Sequence, residues 1–547
     1  EQFRQIGLDA SDWLWFDTQI AEYVRLGNNP KRLKLDLGSV SKRYGYDGKE
    51  TIIDSMMKSG VCPSEMPKDL LIARCRRDVR TTALVARRQI KAASKSGHLP
   101  LIQTRCLLSP VLAEMEANGM CLDKQRVEAA YSEYMDRLRK LDKELEEITG
   151  GINLNSPKQK AELLYDTLKF PEPVNRRGEP ARTASGGRKT DSNTMAWLMG
   201  KAKSKRQKSF VELQQERAKV SAAVSKNLRF FKGVVEDKED CIFRGTFNQT
   251  ITKTHRLSSS GKSQEFRNHR KCSVQFQNMP REFKPLLTAR DNDYLLVEAD
   301  GSQLEFRVAA CLGNDAVAAD DIRNKRDIHR FSASVLNQCE QEDVTKEQRQ
   351  NAKADTFKPL YGGFSGTEAQ TRYYESFRER YAGIYATQEA WYSAVLGTGT
   401  LALPWGMKFH FDFYLDSRSN AKDAHSHKML KPSVFNFPVQ CLATAEIIPI
   451  AIVALHNRIK RLGLRALLVN TVHDSVIAEV HREDLEAYKT QCIAAFTHDV
   501  YRYLQTEYGF EFNVPLGVEI GWGSHWSDES NKTIKLDVEP REVRRAA

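Results

Sequence analysis

The sequence predicts an α+β protein, and three stretches carry that prediction. Residues 294–300 form a short apolar run that suits a buried strand and ends in Asp300, and residues 301–307 then change to helical periodicity. Residues 466–480 are typical of two strands joined by a tight polar turn. Residues 349–362 carry basic and aromatic side chains at every fourth position, which is the spacing of one face of a helix.

Composition limits the classes of protein that remain open. The 547 residues allow several domains with large cores, and the net charge of +12 with a pI near 9.0 is a weak indication of a polyanionic partner. The ten cysteines form no Cys-x-x-Cys pair, which favours reduced thiols in an intracellular protein over a disulfide framework or a zinc site. The start at Glu1 rather than Met is compatible with a fragment or a processed product.

No membrane span is expected, because no uninterrupted run of about 18 apolar residues occurs. The longest candidate covers residues 439–455, and it is interrupted by Gln440, Thr444, Glu446 and Pro449.

The first hundred residues contain three short motifs, at 15–18, 35–40 and 74–79. They resemble the later half of a DnaQ-like 3′–5′ exonuclease domain, in which carboxylates from separate motifs hold a metal pair. Asp78 matches the last of these carboxylates, whereas Arg74 stands where that family has Tyr. The other carboxylates would lie upstream of the first residue, and one carboxylate cannot assemble a two-metal site. The resemblance therefore implies a partial α/β exonuclease-like domain over residues 1–103 and no proofreading by this chain.

The next segment is mainly helical. Residues 107–118 predict a helix that stops at Gly119 and is followed by a short strand. Residues 124–147 predict a charged helix with a solvated face, and the Ser-Pro pair at Ser156 predicts another helix start.

The helix at 349–362 has an unusual face for a core helix. Arg349 and Lys353 make its start cationic, and Phe357 and Tyr361 make its end aromatic. Such a face suits an anionic phosphate tail beside a flat base. A solvated helix with two aromatic residues packed below it remains an alternative, and Pro359 argues against an ideal last turn.

Asp300 and Asp474 are the candidate carboxylates. An acid at a strand end is rigidly placed yet open to a cleft, as a hard cation requires. Two carboxylates about 4 Å apart repel by roughly 4 kcal/mol at an effective dielectric near 20, so such a pair stays ionised only with cations between its members. The alternative is that each Asp is an ordinary turn or cap residue, and the sequence does not show that the two meet.

Several segments, in one order, resemble the motifs of family A DNA polymerases, the group of bacterial DNA polymerase I and phage replicases. They lie at 247–259, 275–280, 300–307, 327–329, 349–362, 436–440, 473–475, 514–516 and 523–526. The resemblance covers roughly residues 105 to 526. It implies a right-hand polymerase fold, with the following subdomains: a thumb at 104–240, a palm at 241–312 and 432–547 together with a C-terminal tail, and fingers at 313–431.

The resemblance also implies roles for individual residues. The catalytic residues would be Asp300, Asp474 and Lys353, with metal ligands from Asp300, Gly301 and Asp474. Nucleotide binding would fall to Arg349, Lys353, Phe357, Tyr361, His329, Glu305 and Gln303, with Tyr361 and Glu305 closing the space beneath C2′ of the sugar. DNA binding would fall to Arg256, Gln277, Asn278, Asn436, Gln440, His473 and Arg307.

Three positions depart from the family pattern, and an extra basic segment at 262–271 precedes the 275–280 motif. His255 replaces Gly, and Gly301 replaces the usual Tyr, where only the backbone carbonyl is needed at the metal. Ser475 replaces the usual Glu of His-Asp-Glu. Its hydroxyl could hold a water beside the metal instead, with lower activity or a changed metal preference as the expected effect.

The resemblance implies a template-directed DNA polymerase in DNA replication, which acts on primed DNA and dNTPs with two Mg²⁺ ions and Mn²⁺ as a possible substitute. The compact layout favours a phage or organellar source. The scattered cysteines favour an intracellular location. We expect a monomer with unidentified replication partners. Two alternatives stay open, a single-subunit RNA polymerase and a non-catalytic DNA-binding relative.

Overall fold

The computed structural model describes most of the chain, and the ranges follow in one list. They are 14–26, 34–46, 52–175, 178–260, 264–265, 271–272, 274–275, 277–363, 366–411, 430–527 and 532–540. The basic side chains of the 262–271 segment lie outside this description.

A five-stranded antiparallel sheet carries the two candidate aspartates. Its strands are β1 (Tyr294–Gly301), β2 (Ala466–Val472), β3 (Ser475–His481), β4 (Leu516–Gly523) and β5 (Lys532–Val538). Their order across the sheet is β2-β3-β1-β4-β5, so β1 lies between β3 and β4. Because side chains alternate along a strand, buried Val297 and Ala299 face the core while Glu298 and Asp300 share the opposite face.

One long helix packs in the core beside this sheet. It runs through Leu430–Gln440, a π-helical stretch Cys441–Ile447 and Ile448–Leu462. The helix is long and apolar enough to cross a membrane by length and composition alone, but 83% of its apolar window is buried inside the protein. Burial of that degree is typical of the core helix of a globular fold.

Helices surround the candidate nucleotide-binding face. They are Leu304–Leu312, Ala316–Arg323, Ile328–Asn337, Lys346–Thr356, Glu368–Arg380 and Ala382–Thr398. The strands Thr400–Ala402 and Lys408–His410 pair beside them. Leu485–Phe496 and His498–Thr506 follow the palm hairpin, after the 3₁₀ turn Arg482–Asp484.

The predicted helix at 349–362 is shorter than its four-residue spacing indicates. It starts from a capping box at Thr345 and ends at Thr356, and a 3₁₀ turn, Lys358–Tyr361, follows after Phe357. Pro359 lacks the backbone donor that would continue the α-helix, and Gly362 closes the turn with a φ of 72°. The two basic residues therefore lie on the α-helix, and the aromatic residues lie at and beyond its end.

The segment before the palm is helical, as predicted. Its elements are Leu99–Asn118, Met120–Leu122, Lys124–Thr149, Pro157–Ala161, Glu162–Thr167, Ser192–Met199, Lys205–Ala223, Val224–Leu228 and Arg229–Asp237. The helix stop at Gly119 is confirmed, because its φ is 62° and a Cβ there would lie 2.6 Å from the Phe243 carbonyl oxygen. The Ser156 start is confirmed as well, since its side chain caps Gln159 N.

Short strands and turns connect this helical segment to the five-stranded sheet. They are Ile242–Phe243, Thr246–Asn248, Ser258–Ser260, Gln264–Glu265, Lys271–Cys272, Arg281–Leu286 and Leu287–Thr288.

The described part of residues 1–103 consists of helices, and no strand occurs among those residues. The helices are Thr18–Leu26, Leu37–Arg43, Ile52–Lys58, Lys68–Ser96 and the start of Leu99–Asn118, with a 3₁₀ turn at Pro63–Glu65. Asp78 lies within Lys68–Ser96 and pairs with Arg74, whose Nε is 3.6 Å from Asp78 Oδ2. The exonuclease interpretation of this segment stays a prediction.

Candidate active site

Asp300 and Asp474 come together at one end of the strands of the five-stranded sheet. Asp300 is near the end of β1, and Asp474 sits in the turn between β2 and β3. The Gly301 N–H donates to the Asp474 backbone carbonyl at 3.0 Å. Ser475, the next residue, pairs directly with Asp300 across the two strands. The register of β1 against β3 therefore places both aspartates at the same point of the sheet.

Both carboxyl groups are held in an environment that disfavours their charge. Burial is the largest cause of the raised pKa of Asp300, and the neighbouring Asp474 and Glu298 carboxylates raise this pKa further. Burial likewise raises the pKa of Asp474. The positive charge of Lys284 acts in the opposite direction, because it lowers the pKa of Asp300. Two oxygen donors that repel each other in a partly buried cleft fit a hard divalent cation, which would remove the repulsion. The role of the Gly301 carbonyl stays a prediction.

A third carboxylate, which the sequence motifs did not indicate, lies beside this pair. Glu298 Oε1 accepts a hydrogen bond from Ser475 Oγ at 3.1 Å, and Glu298 Oε2 accepts one from the Trp526 indole at 2.8 Å. Lys284 Nζ lies 3.7 Å from Glu298 Oε1 and 4.1 Å from the centroid of the Trp526 ring. The two-residue period of a strand could have found Glu298, since it precedes Asp300 by two positions.

Two neighbouring helices, Ile328–Asn337 and Lys346–Thr356, and the turn after them bring four of the predicted nucleotide-binding residues together. Arg349 Nε pairs with Asp327 Oδ2 at 2.5 Å. His329 Nδ1 lies 3.0 Å from Thr356 Oγ1, and its ring meets Phe357 edge-on at 5.5 Å. Burial, and then the charge of Arg349, lower the pKa of His329, and the charge of exposed Lys353 lowers it further. A neutral imidazole thus lies beside two cations and an aromatic ring.

Glu305, Gln303 and Tyr361 are the other residues predicted to bind the nucleotide. Glu305 is half-buried in the first turn of Leu304–Leu312, and burial raises its pKa to about 7, with Asp474 adding to the rise and Arg256 opposing it. Gln303 is exposed and caps the same helix with a φ of 49°. Tyr361 is half-buried at the end of the 3₁₀ turn. Closure of Tyr361 and Glu305 beneath the sugar stays a prediction.

Arg256, His473 and Gln277 are three residues of the predicted DNA-binding set, and they lie next to the turn that carries Asp474. The Arg256 guanidinium lies 3.0 Å from His473 Nδ1, directly beside Asp474. The Gln277 amide donates to the Thr471 carbonyl at 3.0 Å. The sequence motif at 275–280 is thereby fixed to β2, next to the turn that carries Asp474.

Three more amide side chains of the predicted DNA-binding set lie on neighbouring elements. Asn278 donates to the side chain of Gln275. Gln440 is half-buried at the start of the π-helical stretch. The Asn436 amide oxygen is buried and finds no hydrogen-bond partner within the described part of the chain. A buried acceptor without a partner is destabilising by about 1–3 kcal/mol, so this oxygen indicates a position where a bound donor would be accommodated.

The structure corrects the DNA-binding assignment of Arg307. This residue is 5% exposed, and its guanidinium donates to the Ser302 and Pro515 carbonyls, at 2.7 Å each, and to Asp537 Oδ1 at 2.6 Å. Gly517 makes room for the pair, because a Cβ there would lie 2.3 Å from Asp537 Oδ1. Arg307 therefore ties the Leu304–Leu312 helix to β5 and does not face a nucleic acid.

Comparison of the sequence with known proteins identifies the family to which the chain belongs. Residues 124–528 match the model of DNA polymerase family A. The chain is 28% identical over 450 residues to DNA polymerase I of Pseudomonas aeruginosa, covering 77% of this chain and 43% of that protein. It is 30% identical over 436 residues to thermostable DNA polymerase I of Thermus filiformis, covering 77% and 47%. With DNA polymerase I of Bacillus subtilis the identity is 25% over 534 residues, covering 94% and 55%. The chain spans about half the length of these curated relatives.

A solved structure shares the fold. It is described as the POL domain of Pol1 from M. smegmatis in complex with DNA primer-template and dNTP, and it aligns with a TM-score of 0.73 at 23% identity, covering 93% of this chain and 82% of that chain. The likeness shows that this chain has the α+β polymerase fold. Because the family match extends over residues 124–528, well over half of the sequence, the chain belongs to DNA polymerase family A.

Proposed function

We propose that this chain is a template-directed DNA polymerase that adds deoxynucleotides to a primer 3′ end during DNA replication. The observation that carries the proposal is the register of β1 against β3, which brings Asp300 and Asp474 to one point of a cleft. Membership of family A adds support, and so does the fold shared with a polymerase that was solved with primer-template DNA and dNTP.

The fingers supply the groups for an incoming dNTP. Arg349 and Lys353 are cations for the triphosphate, with Arg acting as a planar fork and Lys as a point charge. His329, kept neutral by its surroundings, donates or accepts a hydrogen bond without adding charge. Phe357 lies between the rings of His329 and Phe306, at centroid distances of 5.5 and 5.9 Å, and offers a flat surface near the base and sugar. Together these side chains orient the α-phosphate towards the primer hydroxyl.

Asp300 and Asp474, with the Gly301 carbonyl, would hold two Mg²⁺ ions, for which Mn²⁺ is a possible substitute. When bound, such ions lower the pKa of the primer hydroxyl and neutralise charge on the leaving pyrophosphate. The two carboxylates repel each other when the ions are absent, so the pair has a built-in preference for the loaded state.

Arg256, Gln277, Asn278, Asn436, Gln440 and His473 would contact the primer–template. The minor-groove acceptors look alike for every correct base pair, so an Arg there can sense pair shape without reading sequence. Arg256 is suited to this task because His473 holds its guanidinium beside Asp474.

The proposal also covers the location, oligomeric state, source and exonuclease activity of the protein. We place the protein inside the cell as a monomer, of phage or organellar type, with replication partners still to be identified. We also propose that the chain lacks 3′–5′ exonuclease activity.

Primer extension tests the function directly. A primed template with Mg²⁺ is extended with dNTPs or with rNTPs, and Asp300→Asn and Asp474→Asn are compared with Asp293→Asn, an exposed Asp in the turn before β1. We expect extension with dNTPs, loss of roughly 10³-fold or more in both site variants, and parental activity in the control. Equal extension with rNTPs would favour an RNA polymerase. If the parent extends as poorly as Asp300→Asn while both bind DNA equally well, the chain is a non-catalytic DNA-binding relative.

A further inference from the structure

Glu298 is an acidic side chain beside Asp300 and Asp474, and it lies on a different strand from the one that the family pattern indicates. In family A the residue after the second catalytic Asp is usually Glu, and here that position is Ser475. We propose that Glu298 on β1 supplies the missing carboxylate through Ser475 and acts as a positioning residue for the divalent cations held by Asp300 and Asp474. This inference rests on the proposed polymerase function.

The sheet register brings Glu298 to the right place. Glu298 and Asp300 point to the same face of β1, because they are two residues apart. Ser475 on β3 stands opposite Asp300, and Ile477 stands opposite Glu298, so Glu298 and Ser475 are diagonal neighbours. Diagonal neighbours on one face of an antiparallel pair are within reach of a long side chain. The 3.1 Å hydrogen bond from Ser475 Oγ to Glu298 Oε1 shows that the carboxylate makes this reach.

The carboxylate is held at both oxygens. Trp526, which is 2% exposed, donates its indole N–H to Glu298 Oε2 at 2.8 Å, while Oε1 takes the Ser475 bond and faces Lys284 at 3.7 Å. The Glu298 side chain is nevertheless 29% exposed, so it is anchored but not sealed from the cleft. A carboxylate fixed in this way keeps its charge near the metal ligands without rotamer freedom.

Ser475 and Glu298 fit each other as a pair. A hydroxyl at 475 donates to the Glu298 carboxylate, whereas a Glu at 475 would place a second anion against it. A Glu carboxylate thus lies beside the two Asp residues from β1, and not from β3. The competing explanation is that Glu298 merely anchors Trp526 and Lys284.

The test measures Mn²⁺ affinity by electron paramagnetic resonance on the full chain, bound to a dideoxy-terminated primer–template and the next dNTP. No nucleotide is added in this complex, so the readout does not depend on activity. Glu298→Gln keeps the size and an acceptor for Trp526 but removes the charge, and we expect Mn²⁺ affinity to fall about 10-fold. Glu483→Gln is the matched comparison, because Glu483 lies in the 3₁₀ turn after β3, at the far end of that strand from Ser475, and pairs with Arg465 at 2.7 Å. A change below 2-fold is expected there.

A reciprocal exchange separates charge supply from anchoring. We expect Glu298→Ser to lose Mn²⁺ affinity and the double variant Glu298→Ser, Ser475→Glu to recover it to within about 3-fold of the parent, since the carboxylate returns on β3. A purely structural Glu298 would not be rescued, because the Trp526 indole stays unpaired in the double variant. If the double variant fails to fold, Glu298→Gln decides alone, and an affinity within 2-fold of the parent overturns the proposal.

The variant Asp300→Asn shows whether a negative result contradicts the proposed polymerase function or only the proposed role of Glu298. If it leaves primer extension and Mn²⁺ affinity unchanged, the proposed function itself is wrong. If Asp300→Asn abolishes both while Glu298→Gln changes neither, only the role of Glu298 is wrong.

Discussion

The ring of Tyr23 packs against the imidazole of His255, with ring centroids 4.3 Å apart and ring planes tilted by 46°. His255 has a φ of 64° and is 4% exposed, so it occupies a left-handed position where the family usually has Gly. The Tyr23 hydroxyl donates to the Thr252 carbonyl, and Thr252 Oγ1 donates to the Arg256 carbonyl at 2.7 Å. The N-terminal helix Thr18–Leu26 therefore fixes the loop that carries Arg256.

The first prediction concerns this link. Tyr23→Ala should weaken primer–template binding about 5-fold, because the Arg256 loop loses the ring and the hydroxyl that hold it. If Tyr23 acts through Arg256, the same substitution in an Arg256→Ala background should add little further weakening. Fluorescence anisotropy of the parent, the two single variants and the double variant measures the coupling. Effects that simply add in the double variant would show that the two residues act independently. Urea unfolding of each variant checks that the chain stays folded.

The second prediction contrasts two arginines of the original DNA-binding set. Arg307→Ala should leave the salt dependence of DNA binding unchanged and destabilise the fold by about 3–5 kcal/mol, since it leaves Asp537 without its buried partner. Arg256→Ala should reduce the slope of log K against log salt by about 0.9 if its guanidinium contacts one phosphate, and by less if it contacts only bases. Salt titrations and urea unfolding separate the two behaviours. A reduced salt slope in Arg307→Ala would restore its assignment to DNA.

The third prediction addresses the triphosphate. Lys353→Gln should lower kcat/KM for dNTP by roughly 10²-fold, because a cation that meets the transferring phosphates is lost. Lys346→Gln is the control, since Lys346 is exposed at the start of the same helix. Single-turnover kinetics on a primed template measures both. Similar losses in the two variants would mean that the general charge of the helix, and not Lys353 itself, binds the nucleotide.

Local sequence patterns predicted the elements of the site better than their partners. The strand that ends near Asp300 and the hairpin around Asp474 follow from apolar runs and a polar turn, and both are present. Their contact depends on the pairing of β1 with β3, which joins segments far apart in the chain and has no local signature. Family resemblance, and not periodicity, supplied that pairing. The same reasoning explains Arg307, whose partner Asp537 lies 230 residues away.

Two features of the site, the end of the helix at 349–362 and the position of Glu298, depend on local sequence. The four-residue spacing from Arg349 to Tyr361 suggested one helix, but Pro359 ends it after Thr356. Glu298 lies outside the family motifs, so only the two-residue period of the strand places it on the same face as Asp300.

The fourth prediction concerns stability and pH. Hydrogen bonds, first from His456 and then from Lys460, hold the pKa of Glu114 at about 2, below its ordinary value of 4.5. A lowered carboxyl pKa stabilises the fold fully above about pH 4.5, and that stability disappears as the pH falls towards 2. Glu114→Gln should therefore be less stable than the parent at pH 6, and the difference should narrow at pH 3.5. Urea unfolding measures it, with exposed Glu147→Gln as the control. A difference that stays constant with pH would contradict the role of the charge.

The last prediction concerns the discrimination between deoxyribonucleotides and ribonucleotides. Glu305 is half-buried, and the charges of Arg256 and Asp474 both act on its carboxyl group. We propose that its side chain closes the space beneath C2′ of the bound nucleotide. Glu305→Ala should leave dNTP use within a few fold and raise rNTP use by roughly 10²-fold, because a 2′-hydroxyl gains room. Glu305→Gln keeps the volume and should keep most of the discrimination. Competing dNTP and rNTP extension on one template gives the ratio. If Gln behaves like Ala, the charge of Glu305, and not its size, excludes ribonucleotides.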